Sequence, residues 1–383
     1  MKIIVAPDSF KGSLSAIEAA EAIALGALSA LPDAEVIKLP LADGGEGTVD
    51  ALVSATGGQL FTKRVMGPMG DEVEATYGIM GGGETAVIEM SVAAGLGLVP
   101  PNQRNPLIAT TYGVGQLIEA ALKHNVKKIV IGVGGSATND GGAGAVQALG
   151  ARLLDSDGVD LPPGGAALLK LDSIDLSGFR FPKGQVEVLV ACDVDNPLIG
   201  SNGASAVYGP QKGATLEMVE ILEAALSKYA QVIHKYLDID VAALPAGGAA
   251  GGLAAGLAAF LDAKLQPGIE IVLDAVKFDE KAHSADLVIT GEGRIDYQTL
   301  RGKTIAGVAR RCALMGIPMV ALAGSVGDGF DKLYSEGLTA VFSIMDRPMS
   351  EEEAMRDAYD LLRKTARDVV ALLSRNHEKG KCE

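Results

Sequence analysis

The chain has no tryptophan, and aromatic residues make up only 4% of its 383 positions. Stacking platforms for unpaired bases are built from aromatic side chains, so that mode of nucleic-acid binding is excluded. Positive charge is also scarce: 33 Lys and Arg stand against 48 Asp and Glu, a formal net charge of −15. Such a balance argues against a general polyanion binder and leaves only a small phosphorylated ligand, met by locally gathered Lys, Arg or a metal. The three cysteines, Cys192, Cys312 and Cys382, are odd in number and far apart. They form neither a disulfide framework nor a CxxC zinc pattern, and they suit a reducing cytosol. No long apolar run exists. The longest uncharged stretch, Ala246 to Leu261, is shorter than the ~20 residues of a membrane span, and its Gly252 and Gly256 predict a tightly packed helix. The apolar run Ile3 to Ala6 is too short for a signal peptide. A soluble cytoplasmic protein is expected, with no nucleic-acid or membrane partner.

Glycine is what the chain has in excess, 49 residues where average usage of ~7% gives roughly 27. The glycines cluster in short runs beside apolar strands, as loop and close-packing residues do. At this length two domains are expected. The opening reads as a parallel βαβα unit: strand Lys2 to Ala6, a helix capped by Ser15 and Glu18, strand Glu35 to Leu39, then another helix. Residues 59–90 instead alternate in short strands, which predicts antiparallel pairing. Beyond them come a helix from Gly113 to His124, the strand Ile129 to Val133, a helix from Ala143 to Leu153, and the strand Val186 to Cys192. The βα rhythm returns with strand Ala285 to Thr290, helix Thr304 to Met315, strands Met319 to Ala323 and Ala340 to Met345, and a helix from Ser350 to about Ser374. The expected fold is two α/β domains: a discontinuous parallel-sheet domain, residues 1–62 plus 285–383, interrupted by an inserted mixed-sheet domain, residues 63–284.

Ligands of open α/β sheets bind at the carboxyl ends of strands, and five polar, glycine-rich loops are predicted there. They carry Asp8, Ser9 and Lys11; Asp43 and Glu46; Gly134, Gly135, Ser136, Thr138, Asn139 and Asp140; Asp193, Asp195 and Asn196; and Glu292, Arg294 and Asp296. Ser13, Asp50 and Asp195 read equally well as caps or turn formers. The four histidines, 124, 234, 283 and 377, lie near helix ends in polar surroundings and read as surface or capping residues. Gly132-x-Gly134-x-x-Ala137 matches a dinucleotide fingerprint, with Asp155 or Asp157 as the ribose acid. Thr138 to Gly141 interrupt the helix it requires, however, and no strand is predicted before the acid. Gly302-Lys303-Thr304 resembles the tail of a P-loop, but Tyr297 stands where the first glycine belongs, which leaves only a Lys303 contact to phosphate. Carboxylates beside Gly, Ser and Thr loops fit a Mg²⁺–phosphate site, with Asp193 and Glu292 as ligands. Lys11 and Arg294 would neutralise the transferring phosphoryl group. Asp8 is the leading base toward a hydroxyl and Asp296 the second.

Five blocks resemble the bacterial glycerate kinase family of the first type: Val5 to Ala16, Ala42 to Thr48, Gly134 to Gly144, Gly209 to Gly213 and Val288 to Asp296. They run in family order along nearly the whole chain. The resemblance implies ATP- and Mg²⁺-dependent phosphorylation of D-glycerate at the 2-hydroxyl, giving 2-phosphoglycerate, on a flavodoxin-like domain interrupted by a second α/β domain. Asp195 stands where the family has threonine, and Tyr297 and Thr299 where it has small polar residues. The rival functions are a glycerate 3-kinase, an NAD-dependent hydroxyacid oxidoreductase and a non-catalytic metabolite-binding protein. The oligomeric state, homodimer included, is left open.

Overall fold

The computed structural model describes residues 1–297, 299–300 and 304–379, the last five of these by backbone alone. In chain order the strands are β1 (Lys2–Val5), β2 (Glu35–Lys38), β3 (Gln59–Met66), β4 (Glu72–Ile79), β5 (Thr85–Glu89), β6 (Lys128–Gly132), β7 (Arg152–Leu154), β8 (Ser173–Asp175), β9 (Glu187–Ala191), β10 (Lys264–Gln266), β11 (Leu287–Ile295), β12 (Met319–Val326) and β13 (Ala340–Ser343). The chain divides into two compact units, residues 1–43, 50–57 and 268–383 in the first and residues 44–49 and 58–267 in the second. The fold is therefore α/β, with one parallel sheet and a separate mixed sheet.

In the first unit five parallel strands lie in the order β2-β1-β11-β12-β13. Counted within that sheet the order is 2-1-3-4-5, the flavodoxin-like arrangement, whose switch point falls between its first and third strands. Here those are β1 and β11, which pair from Ile3 with Leu287 to Val5 with Ile289. Central parallel strands are covered on both faces and read as unbroken apolar runs. Accordingly Ile3, Ile4, Val5, Leu287, Val288 and Ile289 have no exposed surface, each contributing about 1.5–3 kcal/mol by burial. The helix Ala16–Ala30 begins at the Ser15–Glu18 capping box foreseen in the sequence.

In the second unit β5, β6, β9 and β10 are parallel, and β3 and β4 continue the sheet antiparallel beyond β5. A domain boundary after residue 62 would fall inside β3, which pairs with β4 along its whole length, Gln59 with Ile79 through Met66 with Glu72. A boundary before residue 285 would follow two helices, Gly268–Ala275 and Phe278–Ala282, that group with the first unit. The uncharged run Ala246 to Leu261 holds the helix Leu253–Leu261, almost wholly buried. A Cβ on Gly256 would stand 2.2 Å from the Gly141 carbonyl oxygen, so the small residue serves close packing inside the unit. Among the described residues no helix is long and apolar enough to cross a membrane.

Three local expectations are corrected. The helix expected from Ala143 to Leu153 stops at Ala148, because Gly150 takes φ +97° against the Gly178 carbonyl and turns the chain into β7. The strand expected to end at Thr290 continues to Ile295, carried by pairing of Glu292 with Ala323 and Arg294 with Ser325 on β12. The last helix is two, Glu351–Arg356 and Ala358–Lys379, broken at Asp357.

Candidate active site

The candidate residues of the first unit gather at the carboxyl ends of β1 and β11. Asp8 lies three residues past the end of β1, and its backbone N–H donates to the Gly291 carbonyl at 2.8 Å. Its carboxylate is buried and accepts hydrogen bonds from the Ser9 backbone N–H at 2.6 Å and from the Thr304 hydroxyl. Burial raises the Asp8 carboxyl above its ordinary value, and the Asp43 charge adds to the rise; the Thr304 and Ser9 bonds and the Lys11 charge oppose it. Thr304 is the first residue of the helix Thr304–Met315, so this hydroxyl ties a helix start to a strand end. Lys11 is exposed, while Ser9 and Asp43 are half-buried.

The strand character of β11 places its charged residues in a fixed order. Glu292 is buried and accepts a hydrogen bond from the Thr299 hydroxyl at 2.7 Å. The same hydroxyl accepts the Asp296 backbone N–H at 3.2 Å. Arg294, exposed, donates from Nε to Asp296 Oδ2 at 3.0 Å. Thr299 thus joins two carboxylate residues that the sequence reading treated separately. Tyr297 projects into solvent, more than half exposed. Lys303 lies outside the described residues.

The candidates of the second unit sit after β6 and β9 and before the helix Thr48–Thr56. Gly134 and Gly135 form an exposed apex. Among the described residues their amides donate to no protein acceptor, the arrangement that suits an anion. Ser136 beside them is buried. Deeper in, Thr138, Asn139 and Asp140 have no exposed surface. Asp140 accepts the Thr111 N–H at 2.8 Å, the Thr111 hydroxyl at 2.9 Å, and the Gly142 and Gly144 N–H groups. Burial raises this carboxyl, against the pull of those four bonds. Asn139 donates from Nδ2 to the Ser205 hydroxyl at 2.9 Å. Lys212, also buried, donates from Nζ to the Thr138 carbonyl at 2.7 Å. Burial pushes its ammonium down to about 7, with Asp140 opposing the fall. Asp193 and Asp195 are exposed in the loop after β9, where Asn196 accepts from the Tyr208 hydroxyl at 2.6 Å. Glu46 is exposed, and Glu89, at the end of β5, accepts the Val49 N–H at 2.8 Å.

The glycerate kinase family model matches residues 3–374. The chain belongs to the glycerate kinase family. It is 52% identical over 371 residues to the glycerate kinase of Bacillus subtilis (strain 168), covering 97% of each chain. It is 49% identical over 374 residues to the glycerate 2-kinase of Escherichia coli (strain K12), covering 98% of each. The crystal structure of "putative glycerate kinase 2" from Salmonella typhimurium LT2 matches with a TM-score of 0.90 at 51% identity, over 98% of this chain and 99% of that one. As a family member the protein is a kinase, and membership disposes of the dinucleotide template. A three-residue strand, β7, does precede Asp155, but it pairs with β8 in a small separate sheet. Asp155 itself folds a turn by accepting the Asp157 and Val159 N–H groups.

Four participants carried no assigned role in the sequence reading. Thr304 was visible only as the end of a broken P-loop pattern, and Thr299 as a departure from the family. Lys212 lay inside the quoted block Gly209 to Gly213. Glu89 ends an apolar strand and gave no signal beyond that position.

Proposed function

We propose that the protein phosphorylates D-glycerate at its 2-hydroxyl with ATP and Mg²⁺, giving 2-phosphoglycerate. The observation that carries the chemistry is the buried Asp8 carboxylate at the β1/β11 switch point, held at both oxygens and raised by burial. A raised carboxylate is a better proton acceptor near neutral pH, which suits a general base toward an alcohol. The acceptor is taken from the relatives, which are glycerate kinases, one of them a glycerate 2-kinase.

In this reading Asp8 takes the hydroxyl proton as the oxygen attacks the γ-phosphorus and the bond from that phosphorus to the bridging oxygen breaks, ADP leaving with the electron pair; Asp296 is the reserve base. Lys11 and Arg294 face anionic oxygens, and the Arg294–Asp296 pair orients the guanidinium. The amides of Gly134 and Gly135, with Ser136, receive phosphate oxygens, and Thr138, Asn139 and Asp140 hold that loop from within. Ser9, Asp43, Glu46 and Lys303 are proposed binding residues. Among the described residues no three His, Cys, Asp or Glu side chains gather into a metal cage. Mg²⁺ needs no such cage, since it takes one or two carboxylates and completes its shell with phosphate oxygens and water. Asp193 and Glu292 are each proposed as a carboxylate for Mg²⁺; a bound ion would neutralise charge on the donor phosphates.

The test is incubation of purified protein with Mg·ATP and D-glycerate, followed by ³¹P NMR and enolase coupling. A product that enolase consumes directly is expected. Accumulation of 3-phosphoglycerate would move the acceptor to the 3-hydroxyl, and absence of any phosphorylated product would overturn the reading.

A further inference from the structure

We propose that Lys212 is a positioning residue: its ammonium grips the Thr138 carbonyl and thereby fixes the loop that presents Gly134 to Ser136. The inference rests on the reading of that loop as a phosphate contact. Lys212 is 2% exposed, and a buried ammonium is a costly way to fill space, since an apolar side chain of the same volume would do so more cheaply. Among the described residues its hydrogen bond is to the Thr138 carbonyl, 74 positions away in sequence.

The loop is held further along by the Asn139–Ser205 bond, by the four bonds to Asp140 and by Gly141 N–H donating to the Gly251 carbonyl at 2.9 Å, but among the described residues the Thr138 carbonyl itself accepts from Lys212 alone. Among the described residues Thr138 Oγ1 and Asn139 Oδ1 have no hydrogen-bond partner, so the Thr138 side chain does not fix this carbonyl. The loop backbone is pinned on one side where Leu96 N–H donates to the Gly135 carbonyl and Ala137 N–H to the Ala94 carbonyl, at 2.8 and 2.9 Å. On the other side Gly251 packs so closely that a Cβ there would lie 2.0 Å from the Thr138 oxygen. Lys212 holds the Thr138 carbonyl itself, and a charged donor makes roughly twice as strong a bond as a neutral one. It is itself held in a turn, Pro210–Lys212, closed by Gly213 at φ +90°. A shift of this carbonyl would carry the peptide planes on its N-terminal side with it, and misplacement by about 1 Å near a reacting group can cost a hundredfold in rate.

The experiment compares wild type with Lys212→Met, which keeps length and volume and removes the donor. The expected variant folds cooperatively by circular dichroism, keeps the glycerate KM, and loses between roughly tenfold and a hundredfold in kcat/KM for ATP. A folded variant with wild-type kcat and KM for ATP overturns the proposal, and so does one whose loss is confined to its melting temperature. If Lys212→Met does not fold, NMR of the wild-type protein decides. Addition of Mg·ATP should shift the Thr138 carbonyl ¹³C and Lys212 ¹⁵Nζ resonances together with the Gly134 to Ser136 amides. Loop amides that respond while Thr138 and Lys212 stay fixed would overturn the role of Lys212. Loop amides that do not respond at all would overturn the phosphate-contact reading beneath it.

Discussion

Asp8 is the residue on which pH dependence should turn. Its carboxyl sits above the ordinary value of 3.8 because it is buried, so the acid limb of kcat/KM should lie above that value. Removing the Thr304 hydroxyl bond, which favours the charged form, should move the limb higher still; Thr304→Val, followed by a pH–rate profile, checks this. Linkage gives a second, opposite-looking outcome. A carboxyl with a higher folded than unfolded pKa binds more protons when folded, so it subtracts stability as pH rises past the unfolded value. Asp8→Asn should then lose at least about a hundredfold in kcat while its urea midpoint at neutral pH stays level or rises. A urea midpoint that falls while kcat is kept would show that Asp8 holds the fold and does no chemistry. Asp8 could be read from the sequence because it follows an apolar run. Its partner Thr304 could not, since the two are 296 positions apart and only the meeting of a strand end with a helix start joins them. The same holds for Lys212 and Thr138: a lysine in a Gly-Pro-Gln-Lys-Gly block looks exposed until the fold closes over it.

At the scale of the element, starts were more legible than stops. The capping boxes at Ser15 and Ser350 and the Thr215 cap are local signals, and each marks a helix start in the structure. Ser350→Ala should cost about 1 kcal/mol in equilibrium unfolding. The stop at Ala148 and the extension of β11 depend on what lies beside them: a carbonyl that crowds Gly150, and a partner strand that pairs with Glu292 and Arg294. With two glycines and two charges in five residues, the end of β11 has the composition of a loop; the ladder with β12 overrides it. Gly256→Ala offers a test of the buried helix Leu253–Leu261. Its new methyl would meet the Gly141 carbonyl, and overpacking of this kind costs about 1–3 kcal/mol. Denaturant unfolding should register that loss, and an unchanged midpoint would show that the helix has room to move.

For the molecule as a whole, the parallel sheet, the mixed sheet and the discontinuous course of the chain followed from where strands alternate with helices and where they alternate with each other. The limits of each unit were less legible: residues 59–90 read as antiparallel strands, but it takes the register of β3 with β4, running from Gln59, to put residues 59–62 in the second unit. The second unit is nearly continuous in sequence and has its own sheet and core. A fragment spanning residues 44–267 should therefore fold alone, with a cooperative thermal transition by circular dichroism; a non-cooperative melt would show that its core is incomplete.

The pairing of β1 with β11 has a consequence for how the polypeptide is made. Lys38 ends β2 and Leu287 begins β11, so a nascent chain must grow by about 250 residues before its first strand meets its central partner. At ~5–20 residues per second, that wait is roughly ten to fifty seconds on the ribosome. Throughout it, Ile3, Ile4 and Val5 are an apolar strand without its inner neighbour, while the segment between can already form its ladders. The amino-terminal strand is thus the first made and among the last to be buried, and the interval is where a holding chaperone would have most to protect.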